Sequence, residues 1–168
     1  MTLWMEIPSP VGPLRLTSEG AGLTGVYLSP DRYAPREFSE SARGESPVLI
    51  EAARQLDGYF AGQRQAFELP LAPAGTEFQH RVWTGLLRIP YGQTISYLEL
   101  ARRLGDERAV RAVGAANGRN PVSIIIPCHR VVGSNGSLVG YGGGLERKRW
   151  LLRHEVSHAA LDFSIRTT

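Results

Sequence analysis

Ser96-Tyr97-Leu98-Glu99-Leu100-Ala101-Arg102-Arg103-Leu104-Gly105-Asp106-Glu107-Arg108-Ala109-Val110-Arg111-Ala112-Val113-Gly114-Ala115-Ala116 decides how this 168-residue chain is built. Ser96 through Glu99 has the spacing of a capping box, serine bonding forward and glutamate back. Leu100, Ala101 and Leu104 then form an apolar face that stops at Gly105. A short polar turn, Gly105 to Arg108, leads into a second helical run from Ala109 to Ala116. Two short helices about a glycine-containing turn make a helix-turn-helix. The second helix is nearly all small residues, with one long cation, Arg111, projecting from it. Such a helix suits close approach either to DNA or to another helix, with Arg111 snorkelling to solvent. The second case is the commoner, and the helix pair alone does not choose.

Upstream, Thr76-Glu77-Phe78-Gln79 is another capping box, followed by a stripe of Phe78, Val82 and Leu86 that Pro90 closes. Before it, Leu71-Ala72-Pro73-Ala74-Gly75 reads as a linker. The charge changes sign there. Up to Gly75 there are six Arg and Lys against nine Asp and Glu, and from Thr76 onward thirteen against seven. A basic second half beside an acidic first half fits an anionic partner for the second half only, and equally an uneven solvated surface.

The first thirty residues read as strands Trp4–Ile7, Leu14–Thr17 and Leu23–Leu28, separated by Pro and Gly turns. Ser29 to Glu45 is polar and reads as an exposed loop. Ser46-Pro47 gives an N-cap with proline at the first helical position. Leu49, Ala52, Ala53, Leu56 and Phe60 follow at helical spacing to Gly62, and Phe67–Leu71 is expected as a last strand. The fold class is therefore α+β: a small N-terminal α/β domain with an antiparallel sheet over residues 1–72, and a mostly helical domain over residues 76–168. No apolar run is long enough to span a bilayer, and Met1 to Glu6 lacks the features of a secretory signal. A single cysteine fits a reducing compartment, so a cytoplasmic protein is expected.

That cysteine lies in Ile126-Pro127-Cys128-His129-Arg130-Val131. A lone thiol makes no internal disulfide and is too few for a cysteine-rich zinc site, which leaves a buried spectator or a nucleophile. The neighbouring imidazole is the side chain best matched to deprotonate a thiol near neutral pH. In an extended strand, however, His129 would point to the opposite face from Cys128. An acid is needed to orient the imidazole, and the C-terminal region offers Glu146, Glu155 and Asp162. Glu155, placed near the end of a helix beginning around Leu145, is weakly preferred over Glu146. Asn120-Pro121 marks a turn just ahead of the apolar run Val122–Ile126. Gly140-Tyr141-Gly142-Gly143-Gly144 suits either close approach of a flat ligand, with Tyr141 stacking, or a plain surface loop. His80, His154 and His158 are expected at solvated or helix-end positions.

The segment Ile126–Val131 resembles the active-site signature of the O6-alkylguanine-DNA alkyltransferases. The resemblance extends through Gly75–Gln79, Val82-Trp83, Ile89-Pro90-Tyr91-Gly92, Thr94-Ile95-Ser96-Tyr97 and Arg111-Ala112-Val113-Gly114. It continues through Asn120-Pro121, Gly140–Leu145, Lys148 and Leu151-Leu152. Ser9-Pro10-Val11-Gly12-Pro13-Leu14 is similar to the opening turn of the family's N-terminal domain. The resemblance implies an RNase H-like N-terminal domain and a single-use transfer of an alkyl group from O6 of guanine to Cys128, and leaves O4 of thymine open. It implies that His129 takes the thiol proton through a water, that Glu155 orients His129, and that Asn120 holds the turn. Tyr97 would bond the base and help protonate it. The Val131 carbonyl and the Gly142 N–H would read the guanine edge, with Tyr141 and Gly143 in the pocket. Arg111 would replace a flipped nucleotide, because O6 of a stacked base cannot reach a buried thiol. Thr94, Ser96, Ala112, Gly114 and Ala116 would lie on the DNA side, reading backbone and shape.

The implied partner is double-stranded DNA containing alkylated guanine, bound by a monomer, with no membrane and no cofactor. Some relatives hold a structural zinc through N-terminal cysteines; this chain has none there, so no metal is expected. Two other readings remain. One is a cysteine hydrolase using Cys128, His129 and Glu155, which leaves the basic half and Arg111 unexplained. The other is a DNA-binding module whose thiol is structural.

Overall fold

The computed structural model describes residues 2–29 and 41–167. It divides into two compact units, Met1–Gly75 with Pro121–Ile125, and Thr76–Asn120 with Ile126–Thr168.

In the first unit β1 (Thr2–Ile7), β2 (Leu14–Glu19) and β3 (Gly22–Leu28) form an antiparallel meander. β4 (Ser41–Arg43) pairs parallel with β1, giving the order β3-β2-β1-β4. The sheet is therefore mixed rather than purely antiparallel. Residues 30–40 of the expected loop lie outside the described residues. At 41–43 the expectation is corrected to a strand, since a three-residue edge strand takes its stability from the ladder and needs no apolar alternation.

α1 (Pro47–Phe60) begins as expected, with Ser46 Oγ accepting from Leu49 N. Its buried face is Val48, Leu49, Ala52, Leu56 and Tyr59 rather than a stripe ending on Phe60. Those side chains pack against β2 and β3 over Leu14, Leu16, Leu23, Val26 and Leu28. Each fully buried aliphatic there contributes about 1.5–3 kcal/mol of transfer free energy.

Phe67–Leu71 is not a strand. A single bridge joins Leu71 to Leu23. Pro70 has no N–H to continue a ladder, and the buried Gln55 amide holds the segment instead. It accepts from Glu68 N (2.9 Å) and donates to Glu68 O (3.0 Å). Pro121–Ile125 joins the same unit along β3, through Val26 N to Pro121 O (2.9 Å) and Ser123 N to Val26 O (3.1 Å). Ile124 sits at φ 73° in a tight turn closed by Ile125 N to Ser123 O (2.8 Å). A β-branched residue in this region costs about 1–3 kcal/mol, and full burial of Val122 and Ile124 offsets it.

In the second unit α2 (Glu77–Leu86) carries the complete Thr76/Gln79 capping box. Its stripe buries Val82 and Leu86, and Trp83 donates from Nε1 to Ala116 O (2.9 Å). α3 (Tyr97–Arg103) is capped by Ser96 alone, because Glu99 turns to Arg103 instead of reaching back. The expected second capping box is thus half made. A 3₁₀ turn, Glu107–Ala109, capped by Asp106, leads into α4 (Val110–Gly118) and completes the helix-turn-helix. β5 (Ile95–Ser96) pairs parallel with β6 (Val131–Val132), tying the start of α3 to the residues after Cys128.

α5 runs from Leu145 to Thr167, so Glu155 lies in mid-helix rather than near its end. The Pro90–Gln93 turn passes directly beside this helix. Gly92 adopts φ 78°, and a Cβ added there would stand 2.8 Å from Ala159 Cβ. Both the conformation and the clearance require glycine. Gly92→Ala is therefore expected to destabilise the second unit by about 1–3 kcal/mol, read as a lower urea midpoint with unchanged slope.

Candidate active site

Cys128, His129 and Arg130 form one 3₁₀ turn, not a strand. Pro127 at φ −82° and ψ 63° makes an inverse γ-turn closed by Cys128 N to Ile126 O (2.8 Å). The turn re-aims successive side chains by about a third of a revolution. This removes the opposite-face problem of an extended chain. The Ile126 carbonyl also accepts from Asn120 Nδ2 (2.8 Å), and the Cys128 carbonyl accepts from Asn117 Nδ2 (3.4 Å). Asn117 lies in the last turn of α4 and Asn120 just beyond its end. Asn117 is buried, and sequence reading missed it; its spacing from Asn120 was the available signal.

Cys128 is buried and outside any disulfide. His129 is wholly buried, with Nε2 2.7 Å from Glu155 Oε2. Arg130 grips the same carboxylate, Nε to Oε1 at 2.7 Å and Nη2 to Oε2 at 3.1 Å, while Nη1 donates to Ile89 O (2.7 Å). Gly92 N adds a long bond to Oε1 (3.4 Å). The choice among the acids is thereby made: Glu155 meets His129, whereas Glu146 is exposed in the first turn of α5. The side chain of Asp162 lies outside the described residues. Arg130 had no role in the sequence reading, since nothing in its spacing signals a partner 25 residues away.

The electrostatics assign the protons. Burial pushes the Glu155 carboxyl up, but His129 and Arg130 outweigh it and hold the group well below the usual carboxylate range. Burial pushes His129 down, against the pull of Glu155 and with further lowering by Arg130 and Lys148. His129 is therefore neutral beside an ionised Glu155, whose charge is balanced by Arg130. An ionised carboxylate only accepts, so the ring proton sits on Nε2. Nδ1 is left with its lone pair and makes no hydrogen bond to the protein. Tyr91, pushed up to about 12 by burial and then by the Glu155 charge, stays protonated beside Arg130.

Lys148 is fully buried. Nζ donates to Val131 O (2.6 Å), Val139 O (2.8 Å) and Gly140 O (3.4 Å). Burial lowers its pKa to about 8, which a Cys128 thiolate opposes. Tyr97 OH donates to the same two loop carbonyls, Val139 O (3.0 Å) and Gly140 O (3.4 Å). Burial and then the Cys128 charge push Tyr97 up, while Asn117 lowers it. Tyr141, Gly142 and Gly143 are half-buried in the loop that follows.

Cys128, His129, Glu155, Asn120, Tyr97 and Val131 thus converge. Arg111, Ala112 and Thr94 lie apart on exposed surface. Ser96 is the α3 cap, and Gly114 faces the Tyr97 ring. Ala116 corrects an expectation: it is buried against Trp83, because the helix turns that residue inward, so its methyl is not on the Arg111 face. His154 is also buried, stacked on Trp150 at 4.8 Å, rather than solvated. Among the described residues no cluster suits a metal ion, and no helix is long and apolar enough to cross a membrane.

The arrangement defines a class, a buried thiol followed by an imidazole oriented on a carboxylate, within a helix-turn-helix unit. The family description "6-O-methylguanine DNA methyltransferase, DNA binding domain" matches residues 77–157, and the same family's ribonuclease-like domain matches residues 3–73. The chain belongs to the 6-O-methylguanine DNA methyltransferase family. It is 50% identical over 154 residues to a methylated-DNA–protein-cysteine methyltransferase of Mycobacterium leprae, covering 90% of this chain and 92% of that one. A Methanosarcina acetivorans protein of the same name is 47% identical over 149 residues, covering 89% and 95%. The crystal structure of Mycobacterium tuberculosis O6-methylguanine methyltransferase superposes with TM-score 0.86 at 46% identity, covering 94% of each chain. The M. tuberculosis protein in complex with DNA matches equally, at 45% identity over 93% and 94%.

The pH dependence of stability follows from the two shifted groups. His129, lowered in the folded state, contributes stability present above its ordinary 6.5 and lost on acidification; Glu155 does the same below its ordinary 4.5. Stability should therefore fall as pH drops below 6.5 and more steeply below 4.5. Glu155→Gln is expected to flatten the lower part of that slope, as measured by urea unfolding between about pH 2.5 and 7.

Proposed function

We propose that this protein repairs DNA by moving an alkyl group from O6 of guanine to Cys128, once and irreversibly. The observation that carries the reading is the buried contact of His129 Nε2 with Glu155 Oε2 (2.7 Å), one residue from a buried thiol; an ionised Glu155 only accepts, which puts the ring proton on Nε2 and leaves Nδ1 as a base. The names of its relatives and the DNA complex of the M. tuberculosis protein support the substrate class.

A water relays the thiol proton to Nδ1. The sulfur attacks the alkyl carbon, the S–C bond forms as the C–O6 bond breaks, and the electron pair withdraws into the guanine ring. Tyr97 delivers a proton to the departing base and recovers one from His129, so the thiol proton ends on guanine. No step breaks the thioether. For this, Tyr97 must exchange its bond to Val139 O (3.0 Å) for one to the base. The Val131 carbonyl, already accepting from Lys148, keeps a second lone pair for the guanine edge. The Gly142 N–H, Tyr141 and Gly143 form the rest of the pocket, and Asn120 holds the nucleophile turn.

Residues 76–168 act as the DNA-binding and alkyl-transfer domain, with residues 1–72 as an α/β support. Exposed Arg111 enters the duplex in place of the flipped nucleotide. Ala112, Gly114, Ser96 and Thr94 lie on the DNA side, where small side chains allow close approach. The protein works as a cytoplasmic monomer on duplex DNA, with no cofactor. The cysteine hydrolase alternative draws no support from the relatives described above.

Two measurements test this. Intact mass after exposure to methylated DNA should rise by one methyl per chain, mapped to Cys128. Turnover without an adduct, or repair retained by Cys128→Ala, would sink the reading. Arg111→Ala should slow reaction with duplex substrate far more than with free alkylguanine; equal losses would contradict a flipping role.

A further inference from the structure

From the grip of its guanidinium on Glu155, we infer that Arg130 is a positioning residue for the base: it limits the His129–Glu155 pair to one proton and so keeps His129 Nδ1 able to accept. This rests on the reading of Cys128 as the alkyl acceptor and His129 as its base.

The geometry carries it. Arg130 spends two N–H groups on the carboxylate and a third on the Ile89 carbonyl, all within a buried site. Among the described residues, the ionisable groups that act on the pair are Arg130 on the same turn, Lys148 on α5, and Tyr91 after α2. Lys148 is committed to three carbonyls rather than to Glu155. Tyr91 stays protonated. Among the described residues, Arg130 and His129 are the cationic or protonatable side chains that pair with the carboxylate.

Remove that cation and count protons. A carboxylate buried without its balancing charge takes up a proton, directly or through its partner. If the proton settles on Glu155, the carboxyl donates to Nε2 and the ring proton moves to Nδ1. If it settles on the ring, both nitrogens carry protons beside an ionised Glu155. Either way Nδ1 is protonated and is a donor rather than an acceptor. The base is blocked in both cases, so the conclusion does not depend on where the proton sits. Arg130 also disfavours a charged imidazole by its own field, which acts in the same direction.

The test uses the full-length protein. In Arg130→Met the acid limb of the pH profile for alkyl transfer should move up by at least about one pH unit, a roughly tenfold loss at pH below the limb that high pH recovers. Nitrogen-15 NMR at neutral pH should show His129 Nδ1 proton-free in the wild type and protonated in Arg130→Met. Arg130→Lys keeps the charge and should keep both the limb position and a proton-free Nδ1, though with a lower rate. Should Arg130→Met not fold, Glu155→Gln/Arg130→Met contains no buried carboxylate, and its acid limb should lie above that of Glu155→Gln by less than about one pH unit, the part due to the Arg130 field on the ring alone; a larger shift would overturn the role through Glu155. A parallel drop in rate at every pH would overturn the inference. So would a proton-free Nδ1 in Arg130→Met, or a limb shift in Arg130→Lys as large as in Arg130→Met. The NMR readout counts protons without any alkyl transfer. It therefore fails separately from the proposed repair function, whose failure appears as a missing Cys128 adduct.

Discussion

The carboxylate of Glu155 is the constraint on which the second unit depends. Burying an ionised carboxylate costs several kcal/mol unless charge and hydrogen bonds compensate. Here the compensation comes from His129, Arg130 and the Gly92 N–H, that is, from the nucleophile turn and from the loop after α2. The helix α5 is thereby tied to both. Gly92, with neither Cβ nor a strained φ, is what allows the loop to come close enough. An interaction that would be a weak argument for stability by itself acts here as a register mark. It leaves one rotation of α5 in which the charge is satisfied.

α4 has a second organising role because its two faces do different work. Arg111, Ala112 and Ala115 face solvent, while Asn117 and, just beyond the helix, Asn120 hold the Cys128 and Ile126 carbonyls. The same short element therefore joins the exposed small-residue face to the backbone of the nucleophile. Its low side-chain content is a packing requirement as well as a surface property. Ala116 is small because Trp83 lies against it, with the indole N–H on its carbonyl.

Much of this was legible in the sequence. Strands β1 to β3, the Ser46 and Thr76 caps, and the two helices about Gly105 follow from periodicity and capping chemistry, which act over a few residues. What escaped depends on partners distant in the chain. β4 is polar and three residues long, and exists because β1 offers an open edge. Phe67–Leu71 has strand composition, but Pro70 and the Gln55 amide impose another geometry. Glu99 is spaced for a capping box and is taken by Arg103. At the site, Cys128, His129 and Asn120 could be named from their segment. Arg130 could not, because its meaning lies in a glutamate 25 residues on. Placement prefers Glu155 over Glu146 only weakly, and only the resemblance makes the choice firm, since both sit on the same helix and one of them faces the turn.

Charge counting separates Cys128 from a generic buried cysteine. A buried thiol resists ionisation because desolvation penalises the thiolate. Arg130 and Glu155 cancel, which leaves Lys148 as a buried cation whose hydrogen-bond partners are carbonyls. Desolvation presses that ammonium to give up its proton, and a charge on Cys128 opposes the pressure. Interaction between two sites is reciprocal, so whatever a thiolate does to keep Lys148 charged, Lys148 does to keep the thiolate. An ionised Cys128 would offset the charge of Lys148, while the proton passed to His129 leaves the net charge of the cluster unchanged. In the proposed transfer Lys148 would supply the field, His129 the acceptor, and Glu155 with Arg130 the proton inventory. Each of the three tasks falls to a different part of α5 or of the turn that it clasps.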